Sequence, residues 1–434
     1  MDGKGTMTLK YGLDDRPPAA ALLLYGLQWW IVCLACSVNL GVVTARLFYG
    51  GDIAGQMFFL QKTFALMGLA GLAQILAGHR LPLVVGPASV LLVGVTASMG
   101  AGRDAVFTAI FIGGALAAVA GYGGLMSRLR TLFTPRIVAV TLILVALTLG
   151  PTIIRLGTAG GEGPRGALFR YAFLMLLPLA LLLLNDRLKG VAKSLTLPAG
   201  MAGGSVLYWA ATAFPPLAVP SAKTTAAWTI APEFHAGTVL AFLFSFVALL
   251  INELGSVEAV GQMLGADGMG PRIRRGCGLT GVANAVAGWL GVLGPVDYSL
   301  SAGIIPASGC ASRLTLIPAF AGLTVCAMFP QLIVILVSIP GPVLGGIMIY
   351  LMGLQIGSCF GILARDGGAG DFNSGVIVGL PVMVGLVVSF SPPEVFQAFP
   401  DMLRSIVGNG FVMGIVAVVL LEHVILRGKR ASAE

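Results

Sequence analysis

Three carboxylates lie in stretches of the sequence that are otherwise apolar, and these are the first candidates for chemistry. Glu253 and Glu258 fall inside one hydrophobic run, and Asp297 stands at the edge of another. Burying an ionised group at membrane depth is costly, so such residues usually bind substrate, carry protons or pair with a neighbour. We interpret Glu253 as either a proton carrier or the partner of a neighbouring helix. Glu258 is expected to be structural, and Asp297 to cap the helix that follows it.

Two short segments rich in glycine and proline interrupt apolar runs at corresponding places in the chain. Gly86-Pro87 and Gly294-Pro295 are 208 residues apart (294 − 86), and Gly303 follows as a further break in the second segment. Broken backbone at membrane depth is tolerated only where it is buried in protein or lines a cavity. Paired interruptions of this kind indicate the binding site of a transporter. The sequence therefore predicts two half-helices that start at one site.

Small polar residues stand at the starts of both predicted half-helices. They are Ser89 in the first segment and Ser299 and Ser301 in the second. Serine leaves the backbone N–H groups of a helix start open to a ligand, and two such starts create a positive field that suits an anion. Serine is also common in tight membrane packing, so both roles remain open.

The composition is that of a membrane protein. Hydrophobic residues make up 57% of the chain and charged residues 10%, with a mean hydropathy of +0.94. Apolar runs of suitable length predict about fourteen spans in an all-α polytopic protein, with the third and tenth as the half-helices. The predicted spans are 19–41, 55–78, 82–97, 104–125, 134–156, 166–184, 195–214, 236–264, 273–292, 296–311, 314–335, 342–364, 373–390 and 405–426.

The spans divide into two halves of seven, and because seven is odd the second half enters from the opposite side as an inverted repeat. With both termini in the cytoplasm, 18 of the 26 lysines and arginines lie on the cytoplasmic side, as the positive-inside rule requires. We expect a multi-pass protein of the inner (plasma) membrane in this orientation. The net charge of +8 is scattered over loops and forms no stripe, which argues against a nucleic-acid partner.

Residues suited to metal or redox chemistry are few and scattered. Cys33 and Cys36 have C-x-x-C spacing, but on an apolar helix without further ligands they are expected to pack as small apolar side chains. The three histidines stand near predicted helix ends, so we expect no metal and no cofactor. The sequence shows no nucleophile–base pair and no soluble sensor domain, which disfavours a membrane enzyme or a receptor without transport.

Four segments of the chain carry motifs that follow one another in a characteristic order and spacing. They are Tyr11-Gly-Leu-Asp-Asp-Arg-Pro-Pro18 with Gly26-Leu-Gln28, Arg80-Leu-Pro-Leu-Val-Val-Gly-Pro87, Tyr298 to Arg313, and Ile339-Pro-Gly-Pro-Val-Leu-Gly-Gly346. Together they resemble the nucleobase–ascorbate transporter family, the nucleobase:cation symporters that include uracil, xanthine and uric acid permeases.

The resemblance implies a core domain that holds substrate and a gate domain against which the core moves like an elevator. Substrate is expected between the third and tenth half-helices, beside the eighth helix, and a homodimer is expected through the gate. The implied boundaries are an N-terminal cytoplasmic tail (1–18), the core (19–130 and 236–335), the gate (131–214 and 340–426) and a C-terminal cytoplasmic tail (427–434).

The eighth helix departs from the family pattern at the position that the resemblance assigns to substrate. Members typically carry a Glu in a Glu-x-x-Gly frame; here Gly255 sets that frame, and Asn252 takes the Glu position beside Glu253. The amide of Asn252 offers one acceptor and two donors, so we expect it to bind substrate. Asn252 and Glu253 lie about 100° apart round a helix, so both cannot face the site squarely.

Further positions differ on the other helices of the implied site. Leu300-Ser301 stand where the tenth helix carries Glu or Gln followed by Asn, and Trp29 stands where the first helix carries His after Gln. Ser89 replaces the third-helix Phe that stacks on the base in relatives. Trp29 is expected either to stack on a planar ligand or to fill space. The implied site therefore lacks an obligatory carboxylate.

The sequence thus predicts a secondary active transporter of a purine, a pyrimidine or a related heterocycle, coupled to protons or sodium. The alternative is an anion transporter on the same scaffold, for sulfate, bicarbonate or small carboxylates, because the acidic site residues are replaced.

Overall fold

The structure, a computed structural model, describes residues 9–125, 134–158, 163–215, 217, 219–220, 227–298, 300–365 and 372–426. In the first half of the chain the helices and the strand are α1 (Ala19–Tyr49), α2 (Ile53–Leu76), β1 (Val84–Pro87), α3 (Ser89–Ala97), α4 (Arg103–Tyr122), α5 (Pro135–Thr148), α6 (Gly150–Thr158), α7 (Gly163–Arg187) and α8 (Thr196–Ala211).

The second half repeats this order of long helices, one short strand and one short helix. Its elements are α9 (Ala236–Met263), α10 (Met269–Leu290), β2 (Pro295–Tyr298), α11 (Ser301–Ser308), α12 (Leu316–Cys326), α13 (Pro330–Val337), α14 (Gly341–Arg365), α15 (Phe372–Phe390), α16 (Asp401–Val407) and α17 (Gly410–Leu420). Each predicted span overlaps one of these helices or a consecutive pair.

Long apolar helices make this a multi-pass membrane protein. In the described residues eight helices are long and apolar enough to cross a membrane, with α5 and α6 counted as one helix (Pro135–Thr158), and a ninth span results if α12 and α13, bent by 88° at their junction, are taken together. At nine and eight residues, α3 and α11 are too short to cross alone.

The two broken segments form an antiparallel pair of strands, which the sequence analysis did not predict. Gly86 pairs with Val296, Pro87 pairs with Pro295, and the N–H of Ala88 donates to the carbonyl of Gly294 over 2.9 Å. Pairing satisfies backbone groups that apolar surroundings would otherwise leave unbonded. The fold is therefore helical with one buried two-stranded sheet at its centre.

The helices that flank this sheet approach one another at glycine. A side chain at Gly281 or Gly288 of α10 would overlap the α4 backbone near Ala118 and Phe111, and one at Gly114 or Gly121 of α4 would overlap the α10 backbone. Membrane helices pack by close van der Waals contact, which small residues permit. This contact fixes α10, and with it the strand that follows.

The N-terminal segment is partly ordered, although the sequence suggested a simple cytoplasmic tail. The N–H of Lys10 donates to the carbonyl of Gly309 over 2.7 Å, and the carbonyl of Tyr11 accepts from the N–H of Ala311 over 2.9 Å. Arg313 pairs with Asp14 at 2.7 Å. Residues 9–15 therefore hold the end of α11 in place.

Candidate functional site

A cavity of about 390 Å³ lies where the two short helices begin. One wall comes from α1, α3, α9, β2 and the residue before α11; the other comes from α5 and α14. The lining residues are Cys36, Asn39, Leu40, Ser89, Leu142, Asn252, Tyr298, Leu300, Met348, Leu351, Met352, Leu354, Gln355 and Ser358. The volume is within the range of small-molecule sites, and polar groups on one wall face a mostly apolar one.

Three of the residues expected to bind substrate line this cavity: Asn252, Ser89 and Leu300. Ser89 is the first residue of α3, and Leu300 immediately precedes α11. No side chain caps either helix start. The positive ends of both helix dipoles therefore face the same space.

Asn39 on α1 is a lining residue that the sequence analysis missed. Its side chain is 1% exposed, and neither its amide nitrogen nor its amide oxygen has a hydrogen-bond partner. A buried amide left without partners is costly, and a ligand that both donates and accepts hydrogen bonds would satisfy it. In the sequence, Asn39 is indicated by its position as an amide near the end of the first predicted apolar span (19–41).

Tyr298, the last residue of β2, lines the cavity and holds the two strands together. Its hydroxyl donates to the carbonyl of Pro87 over 2.5 Å, and its ring lies 2.9 Å from where a side chain at Gly86 would begin. Only glycine at position 86 leaves room for this ring. The strand pair and the cavity wall are thus built together.

Glu253 points away from the cavity, although it follows Asn252 directly. It is fully buried, and its carboxylate accepts hydrogen bonds from the Thr280 hydroxyl at 2.6 Å and the Asp297 N–H at 2.9 Å. The turn of about 100° between adjacent helical residues explains the separation. Glu253 therefore ties α9 to α10 and to the backbone of β2.

Asp297 lies behind the cavity in β2, and the prediction that it caps the following helix is wrong. Its carboxylate is 2.9 Å from Nε2 of His79, and it also faces the carboxylate of Glu253. The N–H of Leu81 donates to Nδ1 of His79 over 2.9 Å, so Nε2 carries the proton toward Asp297. Burial of His79 in the loop after α2 lowers its pKa to about 4, which keeps the ring neutral.

Gln74 closes these contacts into a ring of buried polar groups. Its amide nitrogen donates to the Thr280 hydroxyl over 2.8 Å, and its amide oxygen accepts from the N–H of His79 over 3.3 Å. The order round the ring is Gln74, Thr280, Glu253, Asp297 and His79. Such a network is strong only while each member keeps its partner.

Among the described residues, three further expected site residues, Ser301, Trp29 and Gly303, do not line the cavity. Ser301 is fully buried; its hydroxyl donates to the carbonyl of Tyr298 and accepts from the N–H of Val84. Trp29 is 1% exposed and packs in the apolar core. Gly303 does not break the helix, because α11 runs through it. Ser299 lies outside the described residues.

These features can be compared with known proteins. Residues 20–394 match the family model named Xan_ur_permease, which describes a permease family. The chain belongs to this permease family. The resemblance drawn from the motifs is thereby confirmed, and the protein is a transporter rather than an enzyme.

Full-length relatives of this permease share about a quarter of its residues. It is similar to the putative purine permease YwdJ of Bacillus subtilis (24% identity, covering 95% of this chain and 97% of that protein). It is also similar to the nucleobase transporter PlUacP of Paenibacillus larvae (24%, covering 91% and 93%). Among solved structures, the transmembrane domain of the cyanobacterial bicarbonate transporter BicA covers 88% of the permease at 16% identity, with a TM-score of 0.59. At that identity the likeness shows the fold alone.

Metal-binding side chains are not grouped in the described residues, and one further acid is buried in the last predicted span. In the described residues no group of three His, Cys, Asp or Glu side chains is arranged to hold a metal ion. Glu422, inside the last predicted span, is 5% exposed and lies 3.9 Å from Arg136. The sequence analysis overlooked this acid, which is not among the residues that line the cavity.

Proposed function

We propose that this permease carries a nucleobase or a related heterocycle, most specifically an oxopurine, in the cavity between its two walls. The observation that carries the proposal is the convergence of Asn39, Asn252 and two uncapped helix starts on one cavity of about 390 Å³. The edges of an oxopurine combine ring N–H groups with carbonyl oxygens. An amide side chain can accept a hydrogen bond from the first and donate one to the second. The names of the relatives above support the same substrate class.

The apolar wall suits the planar faces of such a ligand. Met348, Leu351 and Met352 of α14 line the same cavity as Asn252. Flat apolar contact combined with a few directed polar groups is the usual composition of a small-molecule site. Helix starts that carry partial positive charge would favour the carbonyl oxygens of the base.

Uptake by intact cells tests this proposal. Asn252→Ala and Asn39→Ala should each lower uptake of labelled uric acid and hypoxanthine at least tenfold, since each removes hydrogen bonds from a desolvated ligand. Gln397→Ala, an exposed amide outside the cavity, is the matched control and should leave uptake unchanged. If the wild type took up neither base, the proposed function would be contradicted. If both cavity variants took up the bases as the wild type does, the assigned site would be contradicted.

We also infer that Glu253 carries the coupling proton from its position behind the cavity. Glu253 and Asp297 face each other with 0% and 1% exposure, and two such carboxylates cannot both be ionised, so the pair would hold a proton. Chains of Asp, Glu and His are the usual proton relays of transporters. Asp297 also belongs to β2, so a change in the protonation of the carboxylate pair acts on a strand that borders the cavity.

Glu253→Gln tests this role through the pH dependence of uptake. Wild-type uptake should rise as the external pH falls and should collapse with a protonophore. In the variant, which keeps the shape but not the titrating group, uptake should become independent of pH. Unchanged pH dependence in Glu253→Gln would show that Glu253 is not the proton carrier. Stimulation of wild-type uptake by sodium alone would show that sodium, and not a proton, is the coupling ion.

We propose the topology of fourteen segments in a 7+7 inverted repeat, with both termini in the cytoplasm of an inner-membrane protein. The antiparallel pairing of β1 with β2 at matched positions supports the inversion. The most extensive helix packing, α4 against α10, α2 against α12 and α15 against α17, supports the proposed division into core and gate. The elevator movement and a homodimer through the gate belong to the same proposal.

An anion transporter is the second candidate, and one observation favours it. Among the described residues no carboxylate lines the cavity, while two helix starts do. Uptake of sulfate or bicarbonate by the wild type, insensitive to pH and without competition from purines, would select this candidate.

A further inference from the structure

A second cavity, of about 220 Å³, lies at the other end of α3. Ser89 at the start of α3 lines the main cavity, whereas Thr96 near its end lines the second. Seven residues of helix separate them by roughly 10 Å. The second cavity is also bounded by the end of α1 and, from the gate, by α5, α6, α15 and the start of α17. In the proposed topology it opens on the side away from the cytoplasm, along the path to the main cavity.

The charge in this second cavity has one sign. Arg155 is exposed and is the one charged side chain among the lining residues that the structure describes, which include no carboxylate. Among the described contacts, the Arg155 guanidinium has no hydrogen-bond or ion-pair partner. A guanidinium with free N–H groups binds planar oxyanions through paired hydrogen bonds.

Asn409 adds a buried donor that is also free. Its side chain is 1% exposed; the amide oxygen accepts from the N–H of Val412 over 3.3 Å and thereby caps α17, while the amide nitrogen has no partner. A buried N–H group without a partner is costly, and an acceptor that entered the cavity would remove the cost.

The N-terminus of α17 adds a partial positive charge beside Arg155 and Asn409. This helix has eleven residues, and its first residue, Gly410, lines the cavity with Ser389. A side chain at Gly410 would overlap the hydroxyl of Ser389, so the backbone here is approached closely. An exposed guanidinium, a free buried amide N–H and a helix dipole thus meet at one small space.

We propose that this second cavity is an entry subsite that binds the ionised form of an oxopurine by its negatively charged edge before the base reaches the main cavity. The inference rests on the proposed function and adds a preference for the anionic form over neutral bases. The small volume suits a single compact ring system rather than a nucleoside. Because Arg155 is exposed, the attraction is screened by salt.

Two variants remove the attraction and leave the fold in place. Arg155→Gln removes the charge. Asn409→Asp keeps an oxygen that caps α17, which Asp does well, and replaces the free N–H donor by a negative oxygen. Arg165→Gln, an exposed arginine that does not line the cavity, is the control. Asn409→Ser separates the loss of the donor from the added charge.

The measurement is the KM for uptake of uric acid and of hypoxanthine at a pH where the first is a monoanion and the second is neutral. Arg155→Gln and Asn409→Asp should each raise the KM for uric acid about tenfold, with hypoxanthine within twofold of wild type. The KM of Asn409→Ser for uric acid should lie between those of the wild type and Asn409→Asp. The KM of Arg165→Gln should match that of the wild type. High salt should raise the wild-type KM for uric acid and have little effect on Arg155→Gln.

If the variants raised the KM equally for both bases, or left the KM for uric acid unchanged, the entry subsite would be overturned while the proposed function stands. Wild-type uptake of neither base would instead overturn the proposed function, and this inference with it.

Discussion

At the scale of single residues, Asn252 and Glu253 show how adjacent positions on one helix serve different ends. Asn252 lines the cavity, whereas Glu253 binds Thr280 and the backbone of Asp297. The family frame set by Gly255 was enough to single out Asn252, which lines the cavity. The partner of Glu253 could not be predicted, because it depends on the rotation of α9 and on a strand that the sequence does not reveal.

The same limit applies to Asn39 and Ser301. Asn39 was overlooked because one amide in an apolar span is weak evidence without the cavity around it. Ser301 was expected at the site because it starts a half-helix, but its hydroxyl bonds the backbone at both of its ends. Polar type and position predict a candidate, and only the packing decides which way the group points.

Thr280→Val tests the buried ring at this scale. The change removes a hydroxyl that donates to Glu253 and accepts from Gln74, so two buried partners lose a hydrogen bond. We expect the free energy of unfolding to fall by roughly 1–3 kcal/mol, seen as a lower thermal midpoint of the purified protein. Thr141→Val is the control, because the buried Thr141 hydroxyl has no partner, and it should be neutral or stabilising. Equal midpoints for the two variants would contradict the network.

At the scale of elements, the sequence predicted where helices occur better than how they end or pair. Long apolar runs located α1, α2, α4 and α9 to within a few residues, apart from the extension of α1 to Tyr49. The Gly-Pro steps predicted breaks, yet the pairing of β1 with β2 and the bend between α12 and α13 arise from contacts distant in sequence. Gly303 shows the converse, since glycine inside a packed helix need not break it.

Gly281→Ala tests the glycine contact between α4 and α10. The added methyl group would overlap the backbone of Ala118, and backbone cannot move aside as a flexible side chain does. We expect the thermal midpoint and the yield of folded protein to fall, with a cost of about 1–3 kcal/mol. Gly353→Ala on α14, where a side chain meets nothing within 4 Å, should be neutral or slightly stabilising. A stable Gly281→Ala protein would show that the helices are further apart.

At the scale of the whole molecule, the proposed transport depends on the space between two proposed sets of helices, the core and the gate. In the proposed division, residues of the core and of the gate line both cavities, at opposite ends of α3, and the proposed movement of one set against the other would open one end and close the other. Spacing and charge in the sequence predict two halves, and that division stays a prediction. The sequence could not predict the cavities, because their walls come from elements that are hundreds of residues apart.

The most direct test of the account is the thermal stabilisation of the purified protein by ligands, measured for the wild type and for Asn252→Ala. A ligand at 100 times its dissociation constant stabilises the folded state by about 2.7 kcal/mol. We predict that uric acid or xanthine raises the midpoint of the wild type, that sulfate and bicarbonate do not, and that Asn252→Ala abolishes the effect. Stabilisation of the wild type by the anions alone, or equal stabilisation of both proteins by the purine, would contradict the account.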